Sequence, residues 1–445
     1  MNYDVIIVGA GPAGIFSALE LSEKKGLRIL LLEKGKDLPE RERKDLFFGW
    51  GGAGTFSDGK LNLSADVGGF LSDYLDRETL AGLISHVDGL YLKFGAPEEL
   101  KGIDEGKVKE IEDAAKKAGL SLVPFNLRHL GTDRCVGLLQ NIRTHLDGKI
   151  DVRFGKEAKD IIVEGASVKG VRTSDGEEFF SRFVILSPGR AGSQWLEVLA
   201  KKTGITIAGN PVDIGVRVEV PASVLSPITE VVHEAKFTYD SKRFRDRVRT
   251  FCMNPYGVVV NERHEGFSTV NGHSYSNKKS ENTNFAILVS TLFTEPFHEP
   301  IAYGRYIATL ANLLGEGIIV QRLGDLLSGR RSTAGRIKNN PVRPTLAEAT
   351  PGDLSFVIPY RYISDIIEML DVLDRVSPGI NADSTLLYGV EVKFYSMRLK
   401  LKPTMETEVE NLFSAGDGAG VTRGIVQASV SGVIAAREIM RRVHG

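Results

Sequence analysis

The chain has 445 residues, of which 42% are hydrophobic and 25% charged, and its formal net charge is −1. This length exceeds what one ordinary hydrophobic core accommodates, so we expect two or more domains. The near-neutral charge excludes a strong overall attraction to nucleic acid or anionic membranes. Cys135 and Cys252 are too few and too far apart for a disulfide framework or a C-x-x-C pair. Because the short N-terminal apolar run also lacks a basic leader, we expect a cytoplasmic protein.

The N-terminal residues predict a strand, a tight glycine turn and a helix. The run Tyr3–Val8 leads directly into Gly9, which permits a sharp turn. Gly11 has no side chain to keep a pyrophosphate away from the backbone, and Gly14 lets the helix pack closely on the strands. Pro12 suits the first helical turn, where an N–H would have no partner. A helix that begins here offers free amides and a partial positive charge to phosphate.

An acidic residue follows at the distance that a dinucleotide site requires. Glu33 ends a second apolar run, Ile29–Leu32, and lies 19 residues beyond Gly14. There its carboxylate can accept hydrogen bonds from ribose hydroxyls. A glycine fingerprint alone is a weak signal, but its combination with a strand, a helix and this acid predicts dinucleotide binding. At this point NAD as the sole cofactor remains an alternative.

The composition and periodicity of the remaining chain change several times. A glycine-dense stretch covers residues 49–60, and a charged helical pattern runs from about 70 to 120. Between 151 and 186 we predict a small antiparallel meander that ends in one more buried strand. The middle of the chain predicts a mixed sheet with two helices. Its expected strands are Val212–Val220, Val231–Tyr239, Arg247–Met253, Val258–Val260 and Phe285–Leu292, and its expected helices are Pro300–Leu314 and Tyr362–Leu373.

Four further segments make the interpretation more specific. They are GGAGTFSDGK (51–60), HLGTD (129–133), GVRVE (215–219) and FCMNP (251–255). With the glycine fingerprint, the SPG strand exit at 187–189 and the GD pair at 416–417, the chain resembles the FAD-binding flavoproteins of the glutathione-reductase type. Within them it is similar to a bacterial and archaeal family usually called uncharacterised FAD-dependent dehydrogenases. The resemblance covers essentially the whole chain and favours FAD over NAD.

The resemblance implies contacts to each part of FAD. Glu33 would bind the adenosine ribose, Asp417 the ribityl or phosphate portion, and the helix beginning near Gly424 would direct its N-terminus at the flavin N1–C2=O edge. The full set of cofactor-binding residues predicted in this way is Gly9, Gly11, Pro12, Ala13, Gly14, Glu33, Lys34, Gly54, Thr55, Ser57, Asp58, Gly59, Lys60, Glu157, Ala158, Ser187, Gly189, Gly416, Asp417, Gly424 and Ile425.

Two residues are candidates for catalysis. The loop 50–60 would border one side of the flavin ring, and the strand residues Arg217 and Cys252 the other. Cys252 also stands in an apolar run, and free cysteine is among the most buried residue types, so packing in the core is the alternative. The family often has a second cysteine after Cys252-Met253, whereas this chain has Asn254. The histidine spacing predicts no metal site.

Two basic segments, 242–247 and 330–343, favour either a solvated face or an anionic partner such as a phosphate- or carboxylate-bearing substrate, NADPH or RNA. No second glycine fingerprint follows a later strand, so we expect no dedicated NAD(P)H domain. The electron donor would then be transiently docked NAD(P)H or another protein.

We therefore predict an α/β protein with a Rossmann-like FAD-binding domain carrying a three-stranded β-meander insertion, and a mixed-sheet α+β substrate domain. The predicted function is an FAD-dependent oxidoreductase that transfers a hydride between flavin N5 and a small organic substrate in an interdomain cleft. A flavin-dependent RNA-modifying enzyme and a protein that binds FAD only structurally are the alternatives, and we expect neither a membrane nor a nucleic-acid partner. The expected boundaries are 1–65, 122–205 and 405–445 for the FAD domain, 66–121 for a helical insertion, and 206–404 for the substrate domain.

Overall fold

A computed structural model describes residues 2–42, 45–102, 104–123, 125–209, 211–264, 266–275, 279–291, 300–394 and 397–444. The chain divides into two compact units. Unit 1 comprises Met1–Leu100, Leu127–Asn210 and Tyr395–Gly445, and unit 2 comprises Lys101–Asn126 and Pro211–Phe394. Within the described ranges, no helix combines the length and the apolar character that a membrane crossing requires.

The described helices are α1 (Pro12–Ser22), α2 (Arg77–Lys93), α3 (Glu105–Ala118), α4 (Thr132–Leu146), α5 (Ser193–Thr203), α6 (Ala222–Val232), α7 (Pro300–Gly315), α8 (Leu323–Leu327), α9 (Ala334–Lys338), α10 (Tyr360–Asp374) and α11 (Ile425–His444). The described strands are β1 (Asn2–Val8), β2 (Ile29–Leu32), β3 (Lys60–Asn62), β4 (Ser121–Val123), β5 (Leu127–His129), β6 (Asp151–Arg153), β7 (Ala158–Glu164), β8 (Ser167–Thr173), β9 (Glu178–Leu186), β10 (Ile207–Ala208), β11 (Val212–Pro221), β12 (Lys236–Asp240), β13 (Arg247–Asn254), β14 (Val258–His264), β15 (Phe267–His273), β16 (Asn282–Thr291), β17 (Ile319–Arg322), β18 (Thr350–Pro351), β19 (Leu386–Lys393), β20 (Arg398–Leu399) and β21 (Leu412–Ser414).

The main sheet of unit 1 has a parallel part and an antiparallel part. Strands β6, β2, β1, β9 and β21 pair in parallel, whereas β9, β8 and β7 form an antiparallel meander. Every residue of β2 is buried, as expected for a parallel strand that is covered on both faces. The predicted Rossmann-like sheet with a three-stranded meander is confirmed.

Unit 2 is built on an eight-stranded sheet in the order β18-β17-β19-β11-β16-β13-β12-β4. Its neighbours pair antiparallel except for β17 and β18, which are parallel. Helices α6, α7 and α10 pack on this sheet. The predicted mixed-sheet α+β character is confirmed.

Three expectations differ from the structure. Residues up to Val232 belong to α6, and β12 begins only at Lys236, so the expectation of a strand from Val231 is wrong. β-branched residues such as those of α6 favour strands, and packing on the sheet overrides that preference here. The predicted insertion 66–121 is divided, because α2 lies in unit 1 and α3 in unit 2. The unit boundaries follow residues 210 and 394 rather than 205 and 404, and Leu292 lies outside the described residues.

Candidate cofactor-binding site

The glycine turn after β1 has two closely packed glycines and one open one. A Cβ on Gly9 would lie 2.3 Å from the Ser187 carbonyl oxygen, and a Cβ on Gly14 would lie 1.9 Å from the Gly9 carbonyl oxygen. Gly9 also has a φ of 98°, in the region that favours glycine. A Cβ on Gly11, by contrast, would meet nothing within 4 Å, although its backbone is extended (φ −79°, ψ −177°). Gly11 therefore faces open space at the N-terminus of α1.

The carboxylate of Glu33 connects three loops around this turn. One oxygen accepts the backbone N–H of Ala10 at 2.8 Å, and the other accepts the N–H groups of Gly35 at 2.7 Å and Gly49 at 2.9 Å. The residue is 6% exposed. These bonds give the predicted ribose-binding acid a second task, which is to hold the glycine turn against the segment that follows β2.

Arg41 holds the glycine-rich loop, and the sequence analysis did not identify it. Its guanidinium donates to the carbonyl oxygens of Trp50 at 2.6 Å, Gly52 at 3.1 Å and Asp45 at 2.7 Å, and to the Thr55 hydroxyl at 2.5 Å. Burial lowers the pKa of this arginine, opposed by nearby carboxylates. In the sequence, Arg41 stands within a charged run. Such a run indicates a solvent-exposed face as readily as a buried structural arginine.

The C-terminal residues return to the same site. β21 pairs in parallel with β9 and leads through Gly416 to Asp417. The Asp417 carboxylate accepts the Thr422 hydroxyl at 2.7 Å and lies 3.5 Å from the Arg190 guanidinium. Burial raises the pKa of Asp417, and the charge of Arg190 acts in the opposite direction. A carboxylate therefore stands between the exits of two neighbouring strands.

Small residues hold α1 and α11 against each other. A Cβ on Gly432 would lie only 2.1 Å from the Ala13 carbonyl oxygen. The Ser17 hydroxyl lies 2.9 Å from the Ala13 carbonyl oxygen and 3.0 Å from that of Gly432. This close packing places the N-terminal ends of the two helices beside each other. Pro12 of α1 and Ile425 of α11 accordingly line the same cavity.

That space is a cavity of about 440 Å³, all of it within unit 1. Its volume lies within the range of about 300–1,000 Å³ that is usual for ligand sites. The predicted cofactor-binding residues that line it are Gly9, Gly11, Pro12, Ala13, Glu33, Lys34, Gly54, Ser57, Glu157, Ala158, Ser187, Gly189, Gly416, Asp417, Gly424 and Ile425.

Five other residues of the predicted set are not in the lining. Gly14 packs against Gly9, and the Thr55 hydroxyl is engaged by Arg41. Asp58 and Lys60 form an ion pair at 3.1 Å, and Lys60 is 9% exposed. A Cβ on Gly59 would lie 2.8 Å from the Cys135 sulfur. In this structure these five residues make contacts within unit 1 and do not line this cavity, and their contacts with a cofactor stay predictions.

Several lining residues were not predicted from the sequence. They include Phe47, Phe48, Lys156, Lys159, Ser174, Arg190, Trp195 and Arg423. Lys34 shows how this part of the wall is built, since its ammonium lies 3.7 Å from the Phe48 ring centroid and 3.6 Å from the Glu157 carboxylate. The Trp195 indole donates to the Lys159 carbonyl oxygen at 2.9 Å. These residues come from separate segments without a shared motif.

The two catalytic candidates lie in unit 2, in a buried polar network. Arg217 is fully buried and forms a bidentate ion pair with Glu391, with N···O distances of 2.7 and 2.6 Å. Its remaining N–H groups donate to the Cys252 carbonyl oxygen, Asn284 and Asn271. Every N–H group of the Arg217 guanidinium therefore donates to a protein acceptor. Cys252 itself has a φ of 45° beside an irregularity in the pairing of β13 with β16. The catalytic roles of Arg217 and Cys252 stay predictions.

The residues of the unit 1 cavity fit FAD. Gly11 leaves a cradle beside the backbone that any larger side chain would fill. The first turns of α1 and α11 offer backbone N–H groups and positive partial charge, which suit a pyrophosphate and an electron-rich ring edge. Arg190 adds a cation to the lining, and Glu33 adds a hydrogen-bond acceptor. The site thus offers the donors and acceptors that a flavin dinucleotide requires.

Three family models match the chain. The model described as "FAD binding domain" matches residues 4–43, the one described as "FAD-dependent protein, C-terminal domain-like" matches 211–394, and "Glucose inhibited division protein A" matches 367–445. The first covers the glycine turn, Glu33 and Arg41, and the second covers the Pro211–Phe394 part of unit 2. FAD is therefore the cofactor that both the geometry and the sequence models support.

Individual proteins match the chain at less than 30% sequence identity. The chain is 28% identical over 476 residues to a Clostridium beijerinckii protein described as "Uncharacterized protein", with 98% of this chain and 80% of that one covered. It is 26% identical over 188 residues to the Treponema denticola tRNA uridine 5-carboxymethylaminomethyl modification enzyme MnmG, covering 42% of this chain and 26% of the relative.

Solved structures align along the whole chain at low similarity. Glycine oxidase from Geobacillus kaustophilus has 14% identity and a TM-score of 0.43, covering 99% of this chain and 95% of that one. L-proline dehydrogenase from P. horikoshii has 12% identity and a TM-score of 0.44, covering 99% and 94%. Alignments with TM-scores this low do not support an assignment of function. The family models and the residues of the unit 1 cavity together support FAD as the cofactor of this chain.

Proposed function

We propose that the chain is an FAD-dependent oxidoreductase that acts on a small organic substrate and receives or delivers electrons through transiently bound NAD(P)H or a protein donor. When bound, FAD supplies hydride transfer at its N5 atom, and the natural reactions are reduction of a carbon–carbon or carbon–nitrogen double bond, or the reverse dehydrogenation. The observation that carries the proposal is the open cradle at Gly11, between the N-termini of α1 and α11 and beside Glu33.

The chain's own residues would bind and orient the cofactor. The α1 amides would hold the pyrophosphate, and Glu33 would position the adenosine ribose while it keeps the turn in place through Ala10. The N-terminus of α11 would stabilise negative charge at the N1–C2=O edge of the flavin by about 0.3–1 kcal/mol, and by more where the site is partly buried. Binding, orientation and electrostatics are what a protein contributes to flavin chemistry.

A transient nicotinamide donor is supported by the topology of unit 2. Its main sheet pairs in parallel only between β17 and β18 within the described residues, and strand β18 has just two residues. A dedicated dinucleotide domain requires a parallel βαβ unit with a glycine turn at its first helix. Short-lived docking of NADH or NADPH, or of a protein partner, therefore fits the described chain better.

Anaerobic titration tests the proposal. The FAD-loaded protein is mixed with NADH, NADPH or reduced ferredoxin without oxygen, and the flavin absorbance near its visible maximum is followed. We expect one of these donors to bleach the flavin and a suitable acceptor to restore it. A flavin that resists these donors and dithionite for minutes would mean that FAD is only a structural ligand.

A flavin-dependent RNA-modifying enzyme is the second candidate. The partial similarity to MnmG and the basic segments of unit 2 favour it, but the alignment covers only 26% of that relative. Filter binding of RNA distinguishes the two functions. Tight binding with a steep dependence on salt would favour RNA modification, and no binding at low salt would remove it.

A further inference from the structure

Unit 2 contains an arginine cluster that the proposed function does not use, formed by Arg322, Arg330, Arg331 and Arg336. Between residues 322 and 343 the chain has six cationic side chains and one carboxylate, Asp325, although the whole protein has a net charge of −1. Such a local excess of positive charge requires an explanation, because like charges held close together destabilise the fold unless a counter-ion joins them.

A single buried carboxylate organises the cluster. Asp325 has no exposed side-chain surface, and it accepts Arg330 Nε at 3.0 Å and the Ser332 hydroxyl at 2.7 Å. Arg336 and Arg322 approach it at 3.7 and 3.8 Å. Burial opposes ionisation of Asp325, but the contacts with Ser332 and Arg330 outweigh it and hold the pKa below its usual value. The carboxylate therefore stays charged and fixes three guanidinium groups around one point.

The guanidinium groups keep donors that face solvent. The Arg330 side chain is 54% exposed and that of Arg336 is 38% exposed. Arg330 uses only Nε toward Asp325, and its two Nη atoms have no hydrogen-bond partner in the described part of the chain. Arg336 donates one N–H to the Arg331 carbonyl oxygen at 3.0 Å, which fixes the loop that bears Arg331.

We propose that this cluster is a binding site for the phosphate group of a small phosphorylated molecule. Planar guanidinium groups match phosphate oxygens in charge and geometry, and groups already fixed by Asp325 lose little freedom on binding. One carboxylate compensates only one of these positive charges, and a phosphate dianion would compensate two more. The proposal does not depend on the redox reaction.

The composition of the segment disfavours single-stranded RNA as the ligand. Proteins that bind single strands combine cations with aromatic side chains on which bases stack. Residues 322–343 contain no Phe, Tyr or Trp. The cluster therefore offers recognition of phosphate without a stacking platform, and a mononucleotide-sized or smaller phosphate ester fits it better than a polymer.

Calorimetric titration of the FAD-loaded protein at constant ionic strength tests the site, with inorganic phosphate and adenosine monophosphate as probes. The variants are Arg330→Gln and Arg331→Gln, and the second leaves every contact of Asp325 intact. Arg375→Gln is the matched control, because Arg375 is also 54% exposed and pairs with Asp371 outside the cluster.

We expect both probes to bind wild type and the control alike, and at least about tenfold more weakly to the two cluster variants. Equal binding to wild type and to both cluster variants would overturn the site, as would failure of wild type to bind either probe. A short single-stranded RNA that binds much more tightly than adenosine monophosphate, and loses affinity in the same variants, would overturn the assignment to a small phosphate ester in favour of nucleic acid.

Discussion

The Glu33 carboxylate accepts the Ala10 backbone N–H at 2.8 Å, and this bond joins the end of β2 to the glycine turn after β1. The same carboxylate binds Gly35 and Gly49, so one side chain fixes three loops of the cofactor site. An acid at this position is usually interpreted through the ribose alone. Here it also stabilises the loops around the cavity through hydrogen bonds within the protein.

Glu33→Gln should weaken FAD binding by at least about tenfold. A glutamine keeps one acceptor oxygen, but its NH₂ group would face backbone N–H donors and leave buried groups unpaired, at a cost of about 1–3 kcal/mol. Fluorescence titration of the FAD-free protein with FAD measures the loss. Glu23→Gln is the control, because the Glu23 side chain lies outside the cavity lining, is 69% exposed and pairs only loosely with His145 at 3.8 Å. Equal affinities of the two variants would contradict the role assigned to Glu33.

Gly11→Ala should fold normally and lose FAD. Its Cβ would meet no protein atom within 4 Å, so the cost falls on the cofactor rather than on the fold. Gly137→Ala, on an exposed face of α4 with equally open surroundings, should keep FAD and gain about 0.5–1 kcal/mol of stability. Circular dichroism and the visible spectrum check both. A yellow Gly11→Ala protein with unchanged affinity would show that the pyrophosphate lies elsewhere.

Arg41→Lys should loosen the glycine-rich loop. Lysine keeps the charge but cannot reproduce the planar set of bonds to Trp50, Gly52, Asp45 and Thr55. We expect faster proteolysis within residues 45–56 and an FAD affinity lower by about tenfold or more. Arg28→Lys, at a side chain that is 64% exposed, is the control. An unchanged cleavage pattern would remove Arg41 from the support of the loop.

Asp365→Asn should stabilise unit 2 at neutral pH and have little effect in acid. Burial raises the pKa of Asp365 to about 6, and the nearby Asp246 and Glu368 act in the same direction. Because the folded pKa lies above the unfolded value, unfolding free energy falls as pH rises from about 4 to about 6 and stays low above that. The variant lacks this loss, so its melting temperature should exceed that of wild type at pH 7.5 and match it near pH 4. A gain that is the same at both pH values would contradict the titration.

Glu406→Gln should destabilise unit 1 by about 1–3 kcal/mol at neutral pH. Glu406 is 1% exposed and accepts two bonds from Arg442, at 2.6 and 2.9 Å. Burial opposes ionisation, but Arg442 and Lys402 outweigh it and lower the pKa to about 2. The pair's stabilisation is therefore present above the ordinary pKa of about 4.3 and is lost as pH falls toward 2.

Chemical denaturation at pH 7 and pH 3 measures the effect of Glu406→Gln. Glu178→Gln, which breaks an exposed pair with Arg172, should change stability by less than about 1 kcal/mol at either pH. A loss in Glu406→Gln that does not shrink in acid would show that the side chain acts through packing rather than through its charge.

The sequence predicts well what lies in contiguous residues. The β1–turn–α1–β2 segment and Glu33 can be predicted because the glycines, the apolar runs and the acid follow one another at fixed spacing within about 30 residues. Contacts between distant segments are not encoded in that way. β4 pairs with β12 of unit 2 across more than a hundred residues, and Trp195 joins the cavity lining from a segment far along the chain from the glycine turn. Sequence periodicity contains no information on such pairings.

The most direct test of the central claim is the FAD content of the purified protein. The chain is expressed, incubated with excess FAD, freed of unbound flavin, and its visible absorbance is compared with its protein concentration. We predict about one FAD per chain, bound through the unit 1 cavity and lost in Gly11→Ala. A well-folded wild-type protein that stays colourless after this incubation would contradict the account.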